Sequence, residues 1–331
     1  MSPFVPLAER IVDALLDADP DLATHAGDHR ADDRLPDLSA GAVVRRGAML
    51  LDAANALAEV DADALEPAER VDHAILSALV ERQLFELTDV RGHEWNPLVH
   101  NPGPLLHALL ARPFAPADVR LQSLAARLAV VPDALATARA NLTGMPRIHV
   151  ETAVGQFAGT AALVRDELPA LLDEASDLRD VVVPAARAAV AALEEFADWL
   201  RARLRDDAEP GRDPRLGRRL WEARLWHTLD TELTAAQVFD RAQANLDRVT
   251  DAIREAAAAL VGGPADDTTV RRALDQLAAQ HPDNSTIVPL AKEALNEATD
   301  FVRTHDLVSL VDDTCVVQEM PEFARGVAVA Y

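Results

Sequence analysis

The segment "LTAAQVFDRAQANLDRVTDAIREAAAAL", Leu233–Leu260, decides the fold class because its apolar residues recur at helical spacing. Successive members of the apolar set are three or four residues apart: Val238, Ala242, Leu246, Val249, Ile253, Ala257 and Leu260. Charged residues fill much of the remaining surface, which is typical of an amphipathic helix. Thr234 followed by Gln237 has the capping-box pattern, and Gly262 with Gly263 predicts the end of the helix.

The same periodicity runs through most of the chain and predicts a mostly all-α fold, a multi-helix array. Pro67 suits the first turn of one further helix, and Pro132 lies inside another, where it predicts a break or a kink. The segment His93–Pro116 holds five prolines and is expected to be a long ordered loop with about one helical turn. We therefore predict a helical domain over residues 1–310, with a possible hinge near 206–217, where prolines and glycines lie between charges.

The chain ends differently, on "CVVQEMPEFARGVAVAY", Cys315–Tyr331. In an extended backbone Val327, Val329 and Tyr331 share one face, which is typical of a β-strand. A single strand cannot satisfy its backbone groups alone, so it needs partner strands. We therefore predict a short strand segment at the C-terminal end, with residues 311–331 as the start of a truncated α+β segment.

Composition excludes several classes of protein. The net charge of −23, from 55 acidic and 32 basic side chains, disfavours binding to nucleic acid and to anionic membranes. The N-terminus has no basic start with an apolar core, and no apolar run is long enough to cross a bilayer, so a cytoplasmic protein is expected. The one cysteine, Cys315, excludes an internal disulfide and is expected to be a buried small residue.

The usual catalytic motifs do not occur. "HEWNP", His93–Pro97, begins like a helical zinc motif, but Pro97 stands where the second histidine should be. His93 and His100 are therefore interpreted as loop residues with local hydrogen bonds. No Gly-x-Ser-x-Gly elbow and no glycine-rich phosphate loop is present. The sequence thus predicts no catalytic residue, no metal ligand and no cofactor in this chain, and we expect the purified protein to hold no stoichiometric zinc.

One cluster of polar residues is a candidate for substrate binding. "RIHVETAVGQ" places His149 and Glu151 at or just before a helix start, followed by Gln156. Polar groups at the boundary of an element can project into a cleft. The alternative is a helix N-terminus at which Glu151 is favoured by the helix dipole.

Four segments in register resemble one family. They are "PDLATHAGDHRADDRLPDLS" (Pro20–Ser39), "PRIHVETAVGQFAG" (Pro146–Gly159), "LWHTLDTELTAAQVFDRAQANLDRV" (Leu225–Val249) and "PEFARGVAVAY" (Pro321–Tyr331). Their order is similar to that in the bacterial domain-of-unknown-function 885 family, across nearly the whole chain. The resemblance implies a largely helical protein, remotely similar to zinc metallopeptidases of the HExxH type.

The resemblance also implies what this chain lacks. The family's His-Glu motif lies well downstream of the "PEF" segment, so no metal-binding or catalytic residue can be carried over, and zinc is implied only for a full-length protein. The expectation is an N-terminal helical part of a hydrolase, inactive alone, with a peptide or small amide as substrate and the missing C-terminal portion as partner. The alternative is a non-catalytic helical binding or scaffold protein.

Overall fold

The computed structural model describes residues 4–205, 211–229, 233–311, 313–317 and 319–320. These residues belong to two compact units, one covering the described residues up to 229 and the other those from 233 to 320. All elements of regular structure in the described residues are helical. The mostly all-α prediction is therefore confirmed.

Unit 1 holds nine α-helices among its described residues. They are α1 (Phe4–Ala18), α2 (Pro20–Ala26), α3 (Ala40–Ala58), α4 (Pro67–Phe85), α5 (Gly103–Ala111), α6 (Ala117–Asn141), α7 (Arg147–Glu174), α8 (Arg179–Leu204) and α9 (Arg218–Leu229). A π-helical turn, Glu86–Val90, extends α4, and short 3-10 turns lie at Gly92–Glu94 and Pro97–His100 among others. Helix α4 begins at Pro67 as predicted, and α6 continues through Pro132 without a break.

Helices α6, α7 and α8 form the main core of unit 1. Phe157 of α7 and Phe196 of α8 are fully buried, and their ring centroids lie 4.7 Å apart. Because aromatics are scarce in this chain, leucine, alanine and valine fill most of the remaining core. A second apolar cluster joins α1, α3 and α4 around Leu50 and Val80, both of which are 0% exposed.

Helix α9 packs on a small third cluster. Leu216, Leu220 and Ala223 cover Phe85 and Trp95, which stand at the end of α4 and in the segment that follows. The chain reaches α9 through residues 211–217, and the backbone N–H of Arg212 donates to the carbonyl of Gly144 at 3.1 Å. These contacts tie residues 211–229 to the end of α4 and to the turn between α6 and α7.

Unit 2 contains α10 (Ala235–Val261), α11 (Asp267–Ala278) and α12 (Ile287–His305). The predicted capping box at Thr234 and Gln237 is present, and Gly262 ends α10 with a φ of 68°. Helices α10 and α11 pack together through small buried residues, including Ala257 and Ala273.

The predicted C-terminal strand segment is wrong. Of residues 311–320, the described ones contain no strand, and the described residues of the whole chain offer no strand with which one could pair. Alternating apolar residues are necessary for a strand, but pairing decides whether it forms. The stretch Gly326–Tyr331, which motivated the prediction, lies outside the described residues.

The domain boundaries stay predictions. The hinge expected near 206–217 includes residues 206–210, which lie outside the described part of the chain. The two units divide between residues 229 and 233.

Two glycines give opposite expectations for the same substitution. Gly155 lies in the exposed middle of α7 with nothing near the position of a Cβ, whereas a Cβ on Gly211 would overlap the Met145 carbonyl oxygen. Gly155→Ala should stabilise unit 1 by about 1 kcal/mol through helix propensity. Gly211→Ala should destabilise it by roughly 1–3 kcal/mol, because the segment must shift.

Urea unfolding followed by tryptophan fluorescence measures both effects, since all four tryptophans lie in unit 1. Changes of the same sign in the two variants would contradict the close approach of Gly211 to Met145.

Candidate functional site

A cleft of about 840 Å³ opens in unit 1. Its walls come from the segment 33–38, the ends of α2 and α4, the segment 92–105 and the middle of α6. The apolar part of the lining includes Leu35, Leu38, Leu98, Val99, Leu105, Val130 and Val131. The charged part consists of Asp19, Asp21, Asp33, Asp37, Glu86, Asp133, Arg34, Arg46 and Arg82. A cavity of this size that combines apolar surface with polar groups is typical of a ligand site.

The segment 33–38 is fastened along α6. The Nε of Arg127, a residue on α6, donates to the carbonyl of Arg34 at 3.0 Å, and the Nδ2 of Asn141 donates to the carbonyl of Leu38 at 2.8 Å. The Ser39 backbone N–H donates to Asp37 and holds the pKa of that carboxyl below its usual value. This wall of the cleft therefore has a fixed backbone and an ionised carboxylate.

A polar network joins three helices beside the cleft. One terminal nitrogen of Arg46, on α3, lies 2.6 Å from a carboxylate oxygen of Asp19 and 3.1 Å from the Oε1 of Gln83 on α4. Asp19 is also the N-cap of α2, because its other carboxylate oxygen accepts the backbone N–H groups of Asp21 and Leu22. Arg46 and Asp19 are largely buried, and their ion pair fixes α2 relative to α3. The hydrogen bond from Arg46 to Gln83 adds α4 to this network.

Glu86, the first residue of the π-helical turn, lines the cleft. The Arg91 backbone N–H donates to the Glu86 carbonyl at 3.0 Å, five residues back, and this turn widens the end of α4. Arg224 of α9 holds the Glu86 carboxylate with two hydrogen bonds of 2.8 and 2.6 Å. Single π-turns occur frequently at functional sites, and this one begins at a carboxylate that both lines the cleft and binds α9.

The segment 92–105 contributes two histidines and an asparagine to the lining. The Nε2 of His100 lies 2.9 Å from the carbonyl of His93, and since a carbonyl can only accept, this nitrogen carries the proton and leaves Nδ1 as an acceptor. Asn101 accepts hydrogen bonds at its Oδ1 from Thr160 (2.8 Å) and from the Gly103 backbone N–H (3.0 Å). These bonds orient the side-chain amide and leave its NH₂ group free to donate to a ligand.

Burial, which removes water from the two rings, lowers the pKa of both His93 and His100 below the ordinary 6.5. A depressed pKa means that protonation costs more in the folded than in the unfolded state. The contribution of each histidine to stability is therefore fully present above about pH 6.5 and is lost as the pH falls through its pKa in the folded protein.

We predict a larger loss of unit 1 stability between about pH 7.5 and about pH 5.5 in the wild type than in His100→Gln. Glutamine can still donate to the His93 carbonyl but does not titrate. Thermal unfolding followed by tryptophan fluorescence at both pH values checks this, because the carboxylates contribute alike to both proteins. An equal loss in the two proteins would show that His100 titrates with its ordinary pKa.

The structure places the predicted substrate residues on α7, and none of the three is among the residues that line the cleft. His149 and Gln156 are seven residues apart and share one helix face, whereas Glu151 points elsewhere and pairs with Arg147 at 2.9 Å. His149 stacks on Trp95 with ring centroids 5.6 Å apart, its Nδ1 is buried without a hydrogen bond, and desolvation lowers its pKa. A substrate role for the three residues stays a prediction.

The zinc implied by the family resemblance does not fit the described residues. They contain no group of three histidine, cysteine or acidic side chains placed to hold a metal ion. His100 Nε2 is used by the His93 carbonyl, and His93 Nε2 lies 3.8 Å from Glu94. Cys315, predicted to be buried, is exposed instead. We assign no metal-dependent step to these residues.

Sequence reasoning missed the cleft. Its walls come from segments far apart in the chain, such as Arg34, Leu105 and Val131, and only tertiary structure brings them together. The available signal was the proline-rich segment from His93 to Pro104, which contains two histidines and Asn101 in a region expected to be ordered. Ordered irregular segments carry function more often than their length suggests.

Comparison with known proteins gives the family. A family model described as "Bacterial protein of unknown function (DUF885)" matches residues 20–331. The chain belongs to this family. No curated protein matches this DUF885 chain.

The fold of this DUF885 chain has been seen before. A solved structure described as "a putative lipoprotein of unknown function" from Shewanella oneidensis superposes with a TM-score of 0.76 at 23% sequence identity. The match covers 97% of this chain and 61% of the other. At this identity the likeness shows the fold alone, and the chain spans about 61% of the length of that structure. None of the described helices is long and apolar enough to cross a membrane.

Proposed function

We propose that this DUF885 chain is the helical, substrate-binding part of a metallopeptidase-like hydrolase, and that the cleft of unit 1 receives a peptide or another amide. The observation that carries the proposal is the mixed lining of the cleft, which combines apolar side chains with both signs of charge. A peptide presents backbone donors and acceptors together with apolar and charged side chains. Leu35 and Val131 offer the apolar contact, and Asn101, Arg82 and Asp133 offer polar contact.

The proposal assigns the hydrolytic step to residues other than those that the structure describes. The family resemblance supplies the metallopeptidase-like character, and the chain covers about 61% of the solved structure that it matches. The proposal therefore gives this chain the task of binding and orienting a substrate, without hydrolysis by the chain alone. The cytoplasmic location inferred from the sequence stays a prediction.

A pool of synthetic hexapeptides tests the proposal. The purified chain should retain a subset of the pool during ultrafiltration, and mass spectrometry of the filtrate should find no cleavage products. Cleavage by the isolated chain would overturn the assignment of chemistry to another part of the protein. Failure to retain any peptide would overturn the binding role of the cleft.

A second candidate is a helical binding protein with no chemistry. It is favoured by the polar pairs that already shape the cleft: Arg46 with Asp19 and Glu86 with Arg224 are in place without any further segment. The intact mass of the native protein separates the two candidates. A mass well above the 35.7 kDa of this chain favours the hydrolase, and a mass equal to it favours the binding protein.

A further inference from the structure

Arg127 occupies an unusual position for a charged residue. It lies on α6, is 0% exposed, and is the largest of the fully buried side chains in the described part of the chain. A buried charge is costly unless it is paired and hydrogen-bonded. Most of its hydrogen bonds go to backbone carbonyls.

Four hydrogen bonds spread from this guanidinium to three different segments. Its Nη1 donates to the Leu105 carbonyl of α5 at 2.6 Å, and its Nη2 donates to the Thr24 hydroxyl of α2 at 3.2 Å. The same Nη2 donates to the Ala31 carbonyl at 3.1 Å, and Nε donates to the Arg34 carbonyl at 3.0 Å. The planar fork of arginine suits this set of acceptors, since it presents its donors in fixed directions.

Nearby carboxylates keep the group charged. Asp32, itself buried, lies 3.8 Å from Nη2. Desolvation lowers the pKa of Arg127 to about 10, opposed by Asp32, Asp33 and Asp21. At neutral pH the guanidinium therefore remains protonated and keeps all of its donors.

Two of the acceptors belong to residues that line the cleft from different segments. Arg34 lines it from the segment 33–38 and Leu105 from α5, while α6 itself lines it from Val130 to Thr137. The Arg127 side chain thus joins three lining segments, although Arg127 is not itself one of the lining residues. We infer that Arg127 is a positioning residue that sets the separation of the cleft walls before a ligand binds.

This inference rests on the proposed function of the cleft as a ligand site. Preorganised walls lower the cost of ordering on binding, so loss of the clamp should weaken binding even in a folded protein. Lysine at this position keeps the charge but presents a point donor, which cannot serve both Arg34 and Leu105 with the geometry of the fork.

Arg120 provides a matched control on the same helix. It is also buried and donates to the carbonyls of Leu109, Leu110 and Ala115, none of which belongs to a residue lining the cleft. Arg127→Lys and Arg120→Lys therefore remove similar sets of hydrogen bonds from the same helix, and only the first set fixes the cleft.

The rate of limited trypsin digestion measures how often the segment 33–38 leaves its folded position. Cleavage after Arg34 requires its backbone to leave the position held by Arg127, so Arg127→Lys should speed the appearance of this cut about tenfold or more. Arg120→Lys should leave the rate of that cut near the wild-type value. An unchanged rate in Arg127→Lys, or an equal increase in both variants, would overturn the inference.

Peptide binding gives the second readout. With the hexapeptides retained by the wild type, Arg127→Lys should bind about tenfold more weakly than Arg120→Lys when the two are compared at a temperature where tryptophan fluorescence shows both folded. Equal affinities would overturn the positioning role. If the wild type retains no peptide, the proposed function fails, and the trypsin rates still decide the inference about Arg127.

Discussion

Replacement of Phe196 by alanine should destabilise unit 1 by roughly 3–5 kcal/mol, the range for removing a large buried aromatic side chain. Phe196 is 0% exposed, and its ring lies 4.7 Å from that of Phe157 and 5.1 Å from that of Trp199. Arg139 approaches the same ring at 5.8 Å. The substitution removes contacts on α6, α7 and α8 together, so the cavity has little freedom to close.

Phe114→Ala is the matched control within the same unit. Phe114 is 39% exposed and stacks on His29 with ring centroids 4.0 Å apart, so its loss should cost about 1 kcal/mol. Urea unfolding followed by tryptophan fluorescence measures both variants. Similar losses in the two would show that α6, α7 and α8 do not form the main core of unit 1.

Replacement of Arg127 by methionine should cost a similar amount, about 3–5 kcal/mol, for a different reason. Methionine fills much of the volume but removes the guanidinium donor from three carbonyls, of which that of Ala31 keeps the Arg34 backbone N–H, and it removes the nearby cation from the Asp32 carboxylate. Removing one partner of a buried charged group is costly because the remaining polar groups stay buried and unpaired.

Arg120→Met gives the comparison for this second prediction. It also removes a donor from three carbonyls, but Arg120 forms no ion pair within the described part of the chain, so the loss should be smaller by about 1 kcal/mol or more. The same urea titration ranks the two variants. Wild-type stability in Arg127→Met would mean that the carbonyls find water and that the guanidinium contributes nothing net.

Local signals in the sequence predicted local structure well. Thr234 and Gln237 form their capping box, Pro67 begins α4 and Gly262 ends α10, because each depends only on neighbouring backbone. The proline-rich segment after His93 holds more helix than expected, since Pro97 and Pro104 stand in first turns, where a missing N–H costs nothing. Proline can therefore mark the start of a helix as well as interrupt one.

Tertiary features were less accessible from the sequence. The strand prediction failed because alternation says nothing about partners, and the cleft was missed because its walls meet only through packing. Arg127 illustrates this limit of sequence reasoning, because the spacing of apolar residues along α6 does not distinguish an arginine in the core from one on the surface. His149 was rightly placed at the start of a helix, but Trp95, on which it stacks, comes from a distant segment, as does Arg212, which lies over the Trp95 ring.

The central claim is that the cleft of unit 1 binds the ligand, and isothermal titration of two tryptophan variants tests it most directly. Ala134 on α6 lines the cleft, whereas Ala136, two residues along, is exposed and is not among the lining residues. For a peptide retained by the wild type, Ala134→Trp should weaken binding about tenfold or more by filling the cavity, and Ala136→Trp should leave the affinity unchanged. Wild-type affinity in Ala134→Trp, or an equal loss in both variants, would contradict the claim.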